Sequence, residues 1–141
     1  MKQLIKKLFF VLSFSLTFAS VFAQLPNAQT VQLLSPKEVF IGDTAEISYT
    51  FYSPIAFPMG ESDSVRIAFP EEFLESKTYT IIGGNLIRTG NQYRLLISFI
   101  PWKSGAITIP PFDLLTLLSP ETSGFEISLS PVRSEEHTSE L

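Results

Sequence analysis

The sequence predicts an all-β fold, an immunoglobulin-like antiparallel β-sandwich of about seven strands, preceded by a signal peptide. Three observations predict it. Short segments with a two-residue hydrophobic period recur along the chain, Gly, Pro and Asn turn residues separate them, and no long segment has the period of an amphipathic helix. Phenylalanine is abundant and cysteine is absent, so large rings must fill a core that no disulfide supports.

The N-terminus has the order of a secretory signal peptide. Basic residues at 2, 6 and 7 precede an apolar stretch at residues 8–22, which hydroxyl side chains interrupt. A membrane-spanning helix needs about 20 strongly apolar residues, so we favour cleavage over retention as an anchor. Residues 1–23 are therefore expected to be removed between Ala23 and Gln24, and because no cysteine follows, the new N-terminus carries no lipid.

The C-terminal segment at residues 133–141 differs in composition from the rest of the chain. It is polar and unpatterned, and it resembles the conceptual translation of a common sequencing adapter. We interpret it as a non-native tail, with an ordinary solvated tail as the alternative. The β-sandwich domain is then residues 24–132, about 110 residues, which is enough for one core. The sequence leaves open whether this domain is complete at its C-terminal end, and the natural chain is expected to continue past Val132.

The first half of the domain contains four strand-like segments. The clearest is residues 44–52, where Ala45, Ile47, Tyr49 and Phe51 alternate with polar side chains. A proline- and glycine-containing loop at 53–63 follows it, and one helical turn is expected at 70–75. The four expected strands are residues 30–34, 39–41, 44–52 and 65–69.

In the second half, the pattern at residues 92–99 predicts the central strand of the sandwich. Pro110 and Pro111 remove two backbone donors and end the strand that begins at Ala106. The other expected strands are residues 77–82, a short piece at 85–88, residues 112–118 and residues 125–129.

Composition argues against catalysis and against nucleic-acid binding. The chain has a net charge of -4 without a basic cluster, whereas nucleic-acid binding requires a basic face. It has no cysteine, and its one histidine lies in the C-terminal segment, so thiol or serine nucleophiles and a zinc site lack their usual partners. Paired carboxylates remain an alternative, although their spacing is typical of solvated turns and faces; they are Asp43, Glu46, Glu71, Glu72 and Glu75. The sequence therefore predicts a non-enzyme without a cofactor.

The loops offer residues for two kinds of binding site. Glu61 and Asp63 form the best cluster for calcium, but a solvated loop explains them better and no metal site is predicted. Trp102, Tyr52 and Phe57 lie at strand ends or in loops, where aromatic side chains can form a platform for carbohydrate or peptide. The alternative is packing over the ends of the sandwich, and it is favoured for Phe57.

Two short motifs carry a resemblance to a known family. Residues 35–47, with Gly42 and Asp43 between two strands, and residues 105–112, in which Gly105 precedes Ile109, Pro110 and Pro111, resemble the N-terminal modules of BatD-type proteins. The resemblance spans most of residues 24–132. It implies a bacterial cell-envelope protein with several sandwich domains and a later membrane helix, acting beside von Willebrand-type partners and a MoxR-type ATPase. The family supplies no catalytic residues to carry over.

The expected function is therefore that of a non-catalytic exported module, structural or interacting, in a larger BatD-like protein of the periplasm or cell surface. Its partners would be other envelope proteins or further domains of the same chain, not nucleic acid. Membrane contact is expected only through the signal peptide or a downstream helix that anchors the full-length protein. The alternatives are an adhesin-like or carbohydrate-binding surface module and an accessory domain of a truncated secreted enzyme.

Overall fold

A computed structural model describes residues 30–74 and 76–137. These residues form ten strands and two single-turn helices, α1 (Glu71–Leu74) and α2 (Leu114–Leu118). The strands are β1 (Val31–Ser35), β2 (Val39–Phe40), β3 (Ala45–Tyr52), β4 (Ser64–Ile67), β5 (Tyr79–Thr89), β6 (Gln92–Pro101), β7 (Gly105–Ile107), β8 (Phe112–Asp113), β9 (Glu126–Ile127) and β10 (Val132–Glu135).

The first layer of the fold is a five-stranded antiparallel sheet in the order β1-β3-β6-β5-β4. β5 and β6 form a long hairpin whose turn contains Gly90 at a positive φ of 63°, a conformation that glycine adopts without steric cost. The register of β5 shifts between Ile81 and Gly83, so Ile82 is the extra residue of a β-bulge. As predicted, β6 is the central strand of this sheet.

The second layer combines a three-stranded sheet in the order β2-β10-β7 with the two-stranded pair β8-β9. β10 runs antiparallel to β7 and parallel to β2. Ser134 of β10 is buried, and its hydroxyl donates to the carbonyl of Lys103. That hydrogen bond satisfies a polar group that would otherwise be costly to bury.

One hydrophobic core lies between the two layers. Phe51 contacts Tyr93, Phe57 and Phe125, with ring centroids 5.2 to 5.9 Å apart. Phe69, Phe73 and Phe112 form a second aromatic group. Ring pairs at such distances add to the stabilisation from burial, so the abundant phenylalanines hold the sandwich together as the composition predicted.

The predicted fold class, an all-β sandwich, is confirmed by these largely antiparallel sheets, and the immunoglobulin-like arrangement of its strands stays a prediction. Two details of the prediction are wrong. Residues 112–118 are not one strand, because Asp113 caps α2 and the chain turns there into a helix. Residues 77–82 and 85–88 are not separate strands either, because the bulge lets β5 pass through Gly83 and Gly84 without ending. The strand number exceeds seven because several strands are only two residues long.

Both ends of the chain bear on other expectations. The predicted signal peptide and its cleavage between Ala23 and Gln24 lie outside the described residues. The segment at 133–141 begins within β10, and its interpretation as a non-native tail stays a prediction about its origin. Neither helix among residues 30–74 and 76–137 is long and apolar enough to span a membrane.

Candidate interaction face

The five-stranded sheet has two chemically different faces, because successive side chains of a strand point to opposite sides. Ile47, Phe51, Leu95 and Ile97 point toward the second layer and are buried. The residues between them point away from the core and form the surface called here the open face. Two rows of register partners cross it: Val31, Thr50, Arg94, Ile87 and Ser64, then Leu33, Ser48, Leu96, Asn85 and Arg66.

Exposed apolar side chains concentrate on the open face. The described part of the chain has six exposed large hydrophobic residues, and five of them lie on this face or at its ends: Val31, Leu33, Tyr52, Ile82 and Trp102. The sixth, Ile55, lies in the loop after β3. Single exposed apolar residues are ordinary on a protein surface, but their collection on one face is typical of an interaction site.

The β-bulge shapes one part of this face. Beside Ile82, a shallow depression of about 280 Å³ is lined by Arg66, Gly83, Asn85 and Ser98. Gly83 has no side chain to fill the space, and a Cβ added there would meet no atom within 4 Å. The bulge therefore leaves a polar hollow next to an apolar side chain that is 54% exposed.

A second depression lies toward the β5–β6 turn and has a volume of about 200 Å³. Its lining is again polar for the most part: Thr50, Ile87, Thr89, Gln92 and Arg94. Within residues 30–74 and 76–137, neither Arg66 nor Arg94 forms a salt bridge, whereas Arg88 binds Asp63 at 3.1 Å. The open face thus presents two guanidinium groups to solvent among hydroxyl and amide side chains.

The three aromatic residues singled out from the sequence do not form one platform. Trp102 follows β6, and its indole N–H donates to the Thr80 hydroxyl at 2.7 Å, which fixes the ring at one end of the open face. Tyr52 lies opposite Gln92, at the other end of β6. The ends of β6 are nine steps of about 3.3 Å apart, so the two aromatic residues are separated by about 30 Å along the strand direction.

Phe57 does not belong to the surface. It is 3% exposed and packs its ring against Tyr93 and Phe125 at 4.8 and 5.0 Å. The 53–63 loop folds back over the end of the sandwich because this ring completes the aromatic group around Phe51. Phe57 is therefore a core residue, and the packing alternative weighed for it from the sequence is the one that the structure shows.

The candidate ligands for calcium are occupied or dispersed. Asp63 accepts hydrogen bonds from Nε and Nη2 of Arg88, so its carboxylate is paired. Over the ranges 30–74 and 76–137, no three His, Cys, Asp or Glu side chains come close enough together to hold a metal ion. Of the carboxylates weighed for catalysis, Glu71 and Glu72 are exposed on α1, and Glu75 lies outside the described residues.

Sequence reasoning missed the role of Asp113. Its carboxylate accepts the backbone N–H of Gly124 at 2.6 Å and that of Thr116 at 3.1 Å. These two hydrogen bonds, the Gly124 one first, hold the pKa of Asp113 below its ordinary value despite some desolvation. An aspartate before Leu114 to Leu118 is an N-cap signal that could have ended the predicted strand at 113.

No protein-family model, curated protein or solved structure matches this chain. Function is therefore inferred from the geometry of the open face and from the sequence itself.

Proposed function

We propose that this domain is a non-catalytic interaction module that binds a protein partner through the open face. The observation that carries the proposal is the concentration of exposed apolar side chains on that face, next to Arg66 and Arg94. Apolar groups interspersed with arginine and with hydrogen-bonding side chains are typical of non-obligate protein interfaces, which are about as polar as the rest of a surface.

The size of the open face supports a macromolecular partner. β6 has ten residues, and at about 3.3 Å per residue it is about 30 Å long. Five strands spaced by about 4.8 Å are about 20 Å wide between the outer strands, so the face covers roughly 600 Å² before its side chains are counted. A standard interface buries about 800 Å² per partner, so one partner domain can cover the whole face.

We further propose that the domain belongs to an exported, BatD-like protein of the bacterial cell envelope, and that its partner is another envelope protein or a further domain of the same chain. The basic-then-apolar N-terminus and the motifs around Gly42 and Gly105 support this assignment. Both glycines have positive φ, at 87° and 102°, so each motif glycine occupies a turn conformation that few other residues adopt.

The architecture is tested by recovering the native reading frame downstream of Val132 from the source DNA. A frame that continues into a transmembrane run and a short tail supports the BatD-like assignment. Tandem repeats of similar domains would instead favour an adhesin, and a histidine-bearing or carboxylate-rich catalytic pattern would favour an accessory domain of an enzyme. Export is tested separately, by sequencing the N-terminus of secreted protein, where Gln24 is the expected first residue.

The binding face is tested by site-specific photo-crosslinking in the envelope of the source cell. A photoreactive residue replaces Arg94, which is exposed on the central strand of the open face, and the matched control replaces Thr108, which is exposed directly after β7 of the second layer. A discrete crosslinked protein at position 94 that is missing at position 108 supports the proposal. Equal crosslinking at both positions would show that the open face has no special role.

A second candidate function is carbohydrate binding, which the depression beside Ile82 favours. Amide, hydroxyl and guanidinium groups from Asn85, Ser98 and Arg66 converge there, and Trp102 is held by Thr80 at the same end of the sheet. Titration with acidic and neutral polysaccharides, followed by fluorescence of the single tryptophan, tests this function. Saturable quenching that Asn85→Ala abolishes favours a glycan ligand; an unchanged spectrum with every polysaccharide favours a protein partner.

A further inference from the structure

β1 is an edge strand with the properties of a pairing site. It bonds β3 along all five of its residues, and among residues 30–74 and 76–137 no strand pairs with its other side. The strand contains neither charge nor proline, the features by which natural proteins usually block an exposed edge. Leu33 at its centre is 62% exposed, the highest value among the large hydrophobic residues described.

Two hydrogen bonds from the Gln32 side chain, called here the Gln32 clamp, hold β1 in place. The Gln32 amide accepts the backbone N–H of Ser130 at 2.8 Å and donates to the carbonyl of the same residue at 2.9 Å. Gln32 thereby ties β1 to the segment that precedes β10, in addition to its pairing with Tyr49 in β3. An edge strand fixed on one side loses little further conformational entropy when another strand binds its free side.

The opposite edge of the sheet is less suited to pairing. β4 has only four residues, and Arg66 places a positive charge in the middle of it. Two copies of β4 that paired with each other would bring two arginines together, which is unfavourable. β1 has no such conflict, because none of its five residues is charged. In the row of register partners that starts at Ser35, the first charged residue is Glu46 on the neighbouring strand β3.

We propose that β1 pairs antiparallel with β1 of a second copy of this chain, which joins the two five-stranded sheets into one. The bound strand must be extended, uncharged and apolar on the open-face side, and β1 itself meets each condition. A two-fold axis normal to the sheet keeps every residue on its own face. Full overlap of the five-residue strands then places Leu33 opposite the Leu33 of the second copy, and Val31 opposite its Ser35.

The proposal shares the exposed side chains of Val31 and Leu33 with the proposed function, but it is tested separately, because self-pairing needs the backbone edge of β1 whereas partner binding is measured at Arg94 on the central strand. The two can fail separately. Loss of self-pairing leaves crosslinking from position 94 unchanged, and loss of a partner at position 94 leaves the oligomeric state unchanged.

The absence of cysteine from the sequence allows a direct test with single-cysteine variants. The chain from residue 24 onward includes every described residue and is used throughout. Leu33→Cys is expected to form a disulfide-linked dimer under mild oxidation, because directly opposed Cβ atoms lie within reach of a disulfide. The matched control is Ile82→Cys, which is comparably exposed on the same face but lies on β5.

Sedimentation equilibrium supplies the second measurement. The unmodified chain is expected to show a monomer–dimer equilibrium, and Leu33→Lys is expected to weaken dimerisation at least about tenfold, since two lysines would then face each other across the pair. Because Leu33 is exposed, the thermal unfolding temperature of the Leu33→Lys variant should hardly differ from that of the unmodified chain. A monomeric chain at all concentrations, a dimer that Leu33→Lys leaves intact, or equal crosslinking at positions 33 and 82 would each overturn the proposal.

Discussion

Gly84 is the position where one added methyl group should damage the fold most clearly. It lies in β5 on the core side of the bulge, and a Cβ built on it would come 2.7 Å from Cε2 of Phe69. Gly83, the preceding residue, would place a Cβ in open space with no atom within 4 Å. Neither glycine has a positive φ, so replacing either by alanine adds bulk without forcing the backbone into a strained region.

The expected cost follows from the size of the overlap. Carbon atoms in contact prefer about 3.5–4.0 Å, so the Phe69 ring or the strand must move by about 1 Å. The ring cannot move freely, because it contacts Phe112 at 5.5 Å and Phe73 at 6.5 Å between centroids. Overpacking of this kind costs about 1–3 kcal/mol, and the reduced freedom of the unfolded chain returns about 0.4–1 kcal/mol. The midpoints of these two ranges give a net loss for Gly84→Ala of about 1–2 kcal/mol.

Urea and thermal unfolding measure this difference. For a domain of about 110 residues, Gly84→Ala should lower Tm by about 4–8 °C, whereas Gly83→Ala should leave it unchanged or raise it slightly. Adding Phe69→Leu to Gly84→Ala should recover part of the loss in a double-mutant cycle, with a coupling free energy of about 0.5–3 kcal/mol. Equal effects of the two glycine substitutions, or no coupling to position 69, would refute the steric explanation.

Three further predictions concern individual side chains. Phe57→Ala should cost about 3–5 kcal/mol of unfolding free energy and Tyr52→Ala less than about 0.5 kcal/mol, measured by urea unfolding; similar costs would contradict the buried position of Phe57. Asp113→Ala should cost about 1 kcal/mol through the lost cap. Because the pKa of Asp113 is lowered in the folded state, its contribution to folding stability should be complete above the ordinary aspartate pKa and should disappear as the pH falls through the folded-state pKa. Thermal unfolding over a pH series measures this dependence, and Asp113→Asn should abolish it. Gln32→Leu should lose about 1 kcal/mol and increase hydrogen exchange at Ser130; unchanged exchange would show that the clamp is not needed.

Much of the sheet could be predicted because its strands are half-buried. Residues 44–52 and 92–99 alternate apolar and polar side chains, and this alternation follows directly from one face packing on a core and the other facing water. Their pairing in the centre of the sheet then gives the fold class. The same alternation, however, says nothing about which strands are neighbours, so the order β1-β3-β6-β5-β4 required the structure.

The errors arose where a local interaction outweighed the pattern. Residues 112–118 have enough apolar side chains for a strand, but the Asp113 carboxylate satisfies backbone N–H groups of the following turn and favours a helix start. At residues 81–85 two glycines looked like an interruption. The strand instead continues through both, because neither glycine has a positive φ and the bulge at Ile82 only shifts the register; of the two, Gly84 is the one that a side chain would bring against Phe69.

The candidate site could be predicted only in part, for a reason that is geometric. Tyr52 and Trp102 are exposed at strand ends, and Phe57 is buried, which is the packing alternative that the sequence favours for it. Loop position alone does not distinguish a ring that faces solvent from one that folds onto the core, so the three residues remain candidates together until the structure separates them. The apolar residues of β1 and the bulge residue Ile82 were missed. Val31 and Leu33 are in phase with each other, as in any half-buried strand, but this phase does not say which face of the sheet they occupy. Their register with Thr50 and Ser48 places them on the face away from the core, and this makes β1 a strand whose apolar side chains are available for binding.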